Sequence, residues 1–117
     1  MTEWRPSATL EIIETRATTL ASIRQFFAER AATEVEVPLL ASSGVTDPAI
    51  DLFQVATRSG TRFLQSSPEY AMKRLLAAGS GDIFYCGKAF RASEVGSRHN
   101  PEFTLLELSL IHISEPT

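Results

Sequence analysis

The sequence has a single cysteine, Cys86, so no disulfide can form within the chain. A lone thiol is typical of a protein from a reducing compartment, and we expect a cytoplasmic protein. The sequence has no run of 18 apolar residues, which excludes a membrane-spanning helix. Residues 1–6 also lack the apolar core of a secretion signal. We therefore expect no membrane partner.

The chain has no excess of positive charge and no obvious phosphate or metal motif. Eleven Lys and Arg stand against 14 Asp and Glu, a net charge of −3, which gives no electrostatic argument for a nucleic-acid partner. Residues 79–81 lack the Lys-Ser/Thr pair that a Walker loop requires. His112 has no second ligand at a suitable spacing, so no metal site is predicted from the sequence.

The 117 residues are 44% hydrophobic, which excludes a disordered chain and suffices for one domain with a modest core. Apolar residues recur every three or four positions between residues 8 and 32, the period of an amphipathic helix. They are Leu10, Ile13, Ala17, Leu20, Ile23 and Phe27. Pro6 and Ser7 precede this helix as start signals.

The rest of the chain alternates between short strands and one short helix. The helix is predicted over residues 68–78, with Ser67 as N-cap, Pro68 in the first turn and Gly79 at its end. A turn-rich loop is expected over residues 42–48. The predicted strands are residues 33–37, ended by Pro38; residues 52–57 and 62–65, joined by a turn at 58–60; residues 82–91; and a strand beginning at Glu102 or Phe103. This mixture predicts the α+β class.

Residues 90–104 carry the most informative pattern. Arg91, Arg98 and His99 lie on or beside a predicted hairpin loop, where guanidinium groups can bind phosphate oxygens in pairs. Phe103 could offer its ring to a base. A charged hairpin tip is more often simply solvated, so composition alone leaves both interpretations open.

The same segment resembles motif 2 of the class II aminoacyl-tRNA synthetases. The string Arg98-His-Asn-Pro-Glu-Phe-Thr104 is similar to the lysyl, aspartyl and asparaginyl subgroup, and the Leu-Leu-Glu that follows, ending at Glu107, is similar to the lysyl branch. Residues 24–38 resemble motif 1, and residues 67–79 resemble the helix before motif 2. The resemblance implies that residues 1–108 form the N-terminal part of a class II catalytic domain. That part would contain a long motif 1 helix and an antiparallel sheet with the motif 2 hairpin.

Within the lysyl branch, the chain is most similar to the synthetase paralogues that attach a lysine-like acid to elongation factor P. Residues 4–8 lead almost directly into the motif 1 helix, so we expect no anticodon-binding domain before it. The Ser-Pro-Glu sequence at 67–69 is also typical of these paralogues. The alternatives are a fragment of a lysyl-tRNA synthetase, acting on tRNA-Lys, and a non-catalytic synthetase-like binding module.

The resemblance implies roles for individual residues. Arg91 would hold the α-phosphate of ATP and is the expected catalytic residue. Adenine contacts are expected from residues 92–94, contacts to the outer phosphates from His99, and stacking on adenine from Phe103. Glu94 would take the acidic contact because Ser93 stands where many relatives have Glu. The full set of expected ATP contacts is Arg91, Ala92, Ser93, Glu94, His99, Asn100 and Phe103.

The lysine-like substrate is expected to bind through Ser67, Pro68, Glu69 and Glu107. Glu69 would receive its amine, because a buried ammonium needs a paired anion. Glu107 matches a second acidic position near the substrate and the metal. Further implied partners are Mg²⁺, whose ligands belong mostly to the family's C-terminal half, and a second copy of the chain, bound through the motif 1 helix.

Residues 109–117 depart from the family. Ser109 stands where the family has a substrate-binding Tyr, and the segment resembles translated sequencing adapter. We expect this tail to be non-native, with Ile111 and Ile113 poorly buried. Motif 3, whose Arg binds the γ-phosphate, is not found. The 117 residues are therefore expected to be an N-terminal fragment that does not complete the reaction alone.

Overall fold

The computed structural model describes residues 3–42, 52–92 and 100–110. Their helices and strands are α1 (Leu10–Ala28), β1 (Thr33–Glu34), β2 (Leu40–Ala41), β3 (Gln54–Thr57), β4 (Gly60–Leu64), α2 (Glu69–Ala77), β5 (Ile83–Phe90) and β6 (Glu102–Ser109). The chain divides into two compact units, Met1–Ala31 and Ala32–Thr117. The predicted α+β class is confirmed.

Helix α1 makes up most of the first unit. The Thr9 side chain caps its start by accepting a hydrogen bond from the Ile12 amide at 3.2 Å. The helix ends at Ala28 and not at residue 32 as predicted. Ala31 has φ 57°, a left-handed conformation that a helix cannot include, and this explains the early end.

The predicted apolar face of α1 is largely exposed in its N-terminal half. Leu10 is 78% exposed and Ile13 is 45% exposed, whereas Phe27 near the other end is buried. Among the residues that the structure describes, no helix is long and apolar enough to cross a membrane.

The larger sheet of the second unit has the order β1-β5-β6. Strand β5 is central, with β1 parallel on one side and β6 antiparallel on the other, from the pair Ile83–Ser109 to the pair Phe90–Glu102. Strand β1 is shorter than the predicted 33–37. After the Val35 amide bonds to the Phe84 carbonyl, the chain leaves the sheet.

The smaller sheet is antiparallel, in the order β2-β4-β3. Strands β3 and β4 form the predicted hairpin, but β4 begins at Gly60, whose φ of 117° suits only glycine. Strand β2 was not predicted, because two residues directly after Pro38 give no alternation to read. The loop predicted at 42–48 lies, apart from Ser42, outside the described residues.

Helix α2 packs on the larger sheet and forms its core. Fully buried Met72 contacts Ile83 and Tyr85 of β5, and burial of one such apolar side chain contributes about 1.5–3 kcal/mol. The helix begins at Glu69, one residue later than predicted, with Pro68 in the N-cap position. Ser67 is therefore not the N-cap, although its hydroxyl accepts from the Glu69 amide at 3.3 Å. Gly79, with φ 93°, follows the end of the helix.

Candidate functional site

The register of β5 and β6 decides which side chains share a face. Residues directly opposite each other in an antiparallel pair point to the same side of the sheet. The Arg91 amide donates to the Pro101 carbonyl at 2.9 Å, which extends the pairing to Arg91. One face, here called the site face, therefore carries Ile83, Tyr85, Gly87, Ala89 and Arg91 together with Phe103, Leu105, Glu107 and Ser109.

Arg91 and Phe103 meet at the hairpin end of the site face. The Arg91 Cζ lies 5.4 Å from the centroid of the Phe103 ring, within the range of a cation–π contact, and both residues are half-buried. The structure thus brings together the residues expected to bind the α-phosphate and adenine. Half-buried Ala92 follows Arg91, and Asn100 is exposed.

Three of the residues expected to bind ATP lie outside the part of the chain that the structure describes. They are Ser93, Glu94 and His99. Ile111 and Ile113 of the suspected tail also lie outside it. The beginning of that tail is described, and Ser109 pairs with Ile83 as the last residue of β6, while Leu110 is exposed.

Two carboxylates meet towards the other end of the site face. Glu107 lies opposite Tyr85, and its Oε2 is buried with no hydrogen-bond partner among the described residues. Burial, and next the charge of Glu69, raise the pKa of the Glu107 carboxyl above its usual value of 4.5. The effect of Glu69 across space indicates that the two predicted substrate carboxylates lie near each other.

Glu69 already has a cationic partner within α2. Its Oε1 lies 2.9 Å from Nζ of Lys73 one turn later, in an exposed ion pair. The hydrogen bond to Glu69, and then its charge, raise the pKa of the Lys73 ammonium. Solvent screens such an exposed pair, so it contributes little stability and another ammonium could compete for Glu69.

The two ends of the site face differ in charge and are separated by a definite distance. Phe103 and Glu107 are four positions apart on β6, which corresponds to about 13 Å along an antiparallel strand. A guanidinium attracts an anion at one end, and carboxylates attract a cation at the other. The arrangement suits an elongated molecule that carries a phosphate at one end and an ammonium group at the other.

The other two residues expected at the substrate site line a separate cleft. Ser67 and Pro68 line a cleft of about 390 Å³, together with Glu36 and with Arg74 of α2. None of Arg91, Phe103, Glu69 and Glu107 lines it. The cleft that Ser67 and Pro68 line therefore does not include the two carboxylates.

The described residues do not form a site that fits Mg²⁺. No group of three Asp, Glu, His or Cys side chains lies together within residues 3–42, 52–92 and 100–110. Hard divalent cations prefer several oxygen ligands, and Glu69, one of the two carboxylates here, is bonded to Lys73. No chemical step is therefore assigned to a metal held by these residues.

Sequence reasoning missed Tyr85 and Gly87 on the site face. A Cβ added at Gly87 would lie 2.7 Å from the Tyr85 hydroxyl oxygen, so the tyrosine ring occupies the space above the glycine. The alternation of β5 could have placed both residues on the face of Arg91. Nothing in the sequence indicated that the ring lies along the strand.

Comparison with known proteins identifies the family. The family model described as tRNA synthetases class II (D, K and N) matches residues 1–116. The chain therefore belongs to the class II tRNA synthetase family, and the resemblance found in the motifs is confirmed.

Curated relatives narrow the likeness further. Three proteins named elongation factor P–(R)-β-lysine ligase are similar to the chain. The one from Haemophilus influenzae (strain PittGG) is 50% identical over 92% of this chain and 35% of the relative. The one from Mannheimia succiniciproducens is 51% identical over 89% and 34%, and that from Pasteurella multocida (strain Pm70) is 50% identical over 89% and 34%. The chain thus spans about a third of the length of these relatives.

Proposed function

We propose that the protein is part of an ATP-dependent ligase that activates lysine or β-lysine as an aminoacyl-adenylate and transfers the acyl group to a lysine of elongation factor P. The observation that carries this proposal is the single sheet face with the Arg91–Phe103 pair towards one end and the Glu107–Glu69 carboxylates towards the other. The names of the curated relatives support the same substrates and acceptor.

Arg91 acts in the activation step. A substrate carboxylate oxygen attacks the α-phosphorus of ATP, the new O–P bond forms, and the bond to the bridging oxygen breaks as pyrophosphate leaves. Negative charge on the α-phosphoryl oxygens grows during this step. The Arg91 guanidinium stabilises that charge, and the Phe103 ring beside it stacks on adenine.

The Glu107–Glu69 pair selects the substrate by its amino group. The buried Oε2 of Glu107 has no hydrogen bond from the described residues, so an incoming ammonium supplies the donor that this oxygen lacks. Glu69 exchanges its exposed contact with Lys73 for the same ammonium. Binding at this end holds the carboxyl group of the substrate towards Arg91, and this orientation lowers the entropy cost of attack.

The finer features of the proposal follow the family. The remaining ATP contacts are Ala92, Ser93, Glu94, His99 and Asn100, and Mg²⁺ is bound by ligands outside the described residues. The active form is a cytoplasmic homodimer joined through α1 and residues 34–38. Residues 1–108 belong to the catalytic domain, and residues 109–117 are non-native.

Two other functions are weaker candidates. A lysyl-tRNA synthetase would use the same face for activation and differ only in the acceptor, but the relatives above are named for elongation factor P. A non-catalytic binding module would not need an arginine on the site face, whereas Arg91 is present there beside Phe103.

The proposal is tested in a full-length hybrid, which joins residues 1–108 of this chain to the remaining C-terminal part of the Haemophilus influenzae relative. ATP–pyrophosphate exchange that depends on lysine or (R)-β-lysine, and acyl transfer to elongation factor P but not to tRNA-Lys, are expected. Transfer to tRNA-Lys alone would support the lysyl-tRNA synthetase. No exchange by a folded hybrid with either amino acid would contradict the proposal.

A further inference from the structure

Tyr85 is buried and lies directly opposite Glu107 in the pairing of β5 with β6. Its side chain makes a hydrogen bond to the backbone of its own strand, which is unusual in a β-strand. Its hydroxyl donates to the Lys88 carbonyl, three residues along the same strand, at 2.6 Å. Burial raises the pKa of the Tyr85 phenol, so the hydroxyl keeps its proton for this bond.

The sheet topology explains why the Lys88 carbonyl needs a donor. Arg91 bonds to Pro101, so the odd-numbered residues of β5 face β6 with their backbone groups. Even-numbered residues face the other way, as the bond from the Val35 amide to the Phe84 carbonyl demonstrates. Strand β1 ends at Glu34, and the next backbone bond that the structure records on this side is from the Phe90 amide to the Gln65 carbonyl. Between these two bonds the Tyr85 hydroxyl supplies the donor for the Lys88 carbonyl.

The bond forces the ring to lie along the sheet. A Cβ at Gly87 would lie 2.7 Å from the Tyr85 Oη and 2.8 Å from its Cζ, distances at which atoms must move. The ring therefore covers Gly87. Gly87 pairs with Leu105, which lies between the Phe103 position and the Glu107 position on the site face.

We propose that Tyr85 is a positioning residue for the substrate, because its buried side chain lies over Gly87 and directly opposite Glu107, between the Arg91–Phe103 end and the Glu107–Glu69 end of the site face. The inference rests on the function proposed above. Tyr85 is the direct cross-strand neighbour of Glu107 on this face, so its fixed side chain limits the positions open to the buried Glu107 carboxylate. Gly87 is required because any side chain there would displace the ring.

The first test uses the 117-residue chain and needs no activity. Gly87→Ala is expected to lower the melting temperature by at least about 4 °C, because the added methyl group overpacks against the phenol. In the Tyr85→Leu background, Gly87→Ala is expected to lower the melting temperature by less than about 1 °C. Equal losses in both backgrounds would overturn the placement of the ring over Gly87.

The second test separates positioning from stability in the full-length hybrid. Tyr85→Leu is expected to lower kcat/KM for lysine or β-lysine about ten- to a hundredfold, with KM for ATP within about twofold of the unsubstituted hybrid. Tyr85→Phe keeps the ring but removes the hydroxyl that fixes it, so its loss of efficiency should be smaller than that of Tyr85→Leu. The matched control is Phe84→Leu, since Phe84 is equally buried in β5 but faces the other side of the sheet.

The outcomes distinguish this inference from the proposed function. Normal lysine-dependent exchange by Tyr85→Leu, accompanied by a lower melting temperature, would overturn the positioning role and leave the function standing. A loss of efficiency equal to that of Phe84→Leu would also overturn it. Absence of exchange in the unsubstituted hybrid would contradict the function itself, and the positioning role with it.

Discussion

The Arg91 guanidinium carbon lies 5.4 Å from the centre of the Phe103 ring, although twelve positions separate the two residues in the sequence. The antiparallel pairing of β5 and β6 produces this contact, because Phe103 pairs with Ala89 two residues before Arg91 on the same face. A cation and a ring held together in this way offer one site for a phosphate and a neighbouring site for a base.

Phe103 supplies the first prediction. Phe103→Leu in the full-length hybrid keeps an apolar side chain but removes the ring, and stacking of a base on a ring contributes about 1–3 kcal/mol. KM for ATP is expected to rise about tenfold, with KM for lysine unchanged. Leu106→Ala, on the exposed opposite face of β6, is the control and should leave both constants unchanged. An unchanged KM for ATP in Phe103→Leu would argue against adenine stacking.

The ionised Glu107 side chain is expected to destabilise the folded chain at neutral pH. Its pKa in the folded chain lies above the usual 4.5 because of burial and then Glu69, so the folded state holds the proton more tightly than the unfolded state. The stability of the chain therefore falls as the pH rises through the raised pKa. Glu107→Gln, which cannot ionise, should melt a few degrees higher at pH 7 and at nearly the same temperature below pH 4.

Glu107→Gln should also lower the exchange activity with lysine. An amide at position 107 cannot neutralise an ammonium, so exchange with lysine should fall in the full-length hybrid even though the variant is more stable. Melting curves between pH 3.5 and 7.5, recorded with the 117-residue chain, test the predicted effect of Glu107→Gln on stability. A Glu107→Gln variant that is less stable at pH 7 would contradict the burial and repulsion described for this carboxyl.

Helix α1 provides the prediction about assembly. Its N-terminal half exposes Leu10 and Ile13, and a second copy packed across a two-fold axis would cover them. Ile13→Lys is expected to weaken dimerisation of the full-length hybrid at least tenfold, as measured by light scattering over a range of concentrations. Thr18→Lys introduces the same charge on the opposite side of the helix and should have little effect. A hybrid that is monomeric before any substitution would refute the proposed dimer.

The sequence predicted the kinds of elements well and their ends less well. Hydrophobic periodicity indicates the buried face of a helix or strand, and turn residues indicate where one element gives way to the next. Both signals are local, so α1, α2 and the β5–β6 hairpin could be predicted. The early end of α1 depends on the left-handed Ala31, and the short β1 depends on where the chain leaves the sheet. Neither feature has a periodic signature.

From the sequence, the site residues could be predicted only where they belong to the family motifs. Arg91 and Phe103 were paired correctly because a hairpin brings its strand ends together. Ser67 and Pro68 line a cleft that does not include Glu107, and which residues line it depends on the packing of α2, which sequence spacing does not encode. The Tyr85 ring above Gly87 depends on the hydrogen bond to the Lys88 carbonyl, which only the structure reveals.

The central claim is that Arg91 stabilises the α-phosphate during activation, and ATP–pyrophosphate exchange by the full-length hybrid tests it directly. Arg91→Ala is expected to slow lysine- or β-lysine-dependent exchange about 10²–10³-fold, roughly 3–4 kcal/mol, while the melting temperature remains close to that of the unsubstituted hybrid. Arg58→Ala removes the same charge from an exposed turn of the smaller sheet and should exchange normally. An Arg91→Ala hybrid that exchanges within about threefold of the unsubstituted one would contradict the assignment of Arg91 and the function built on it.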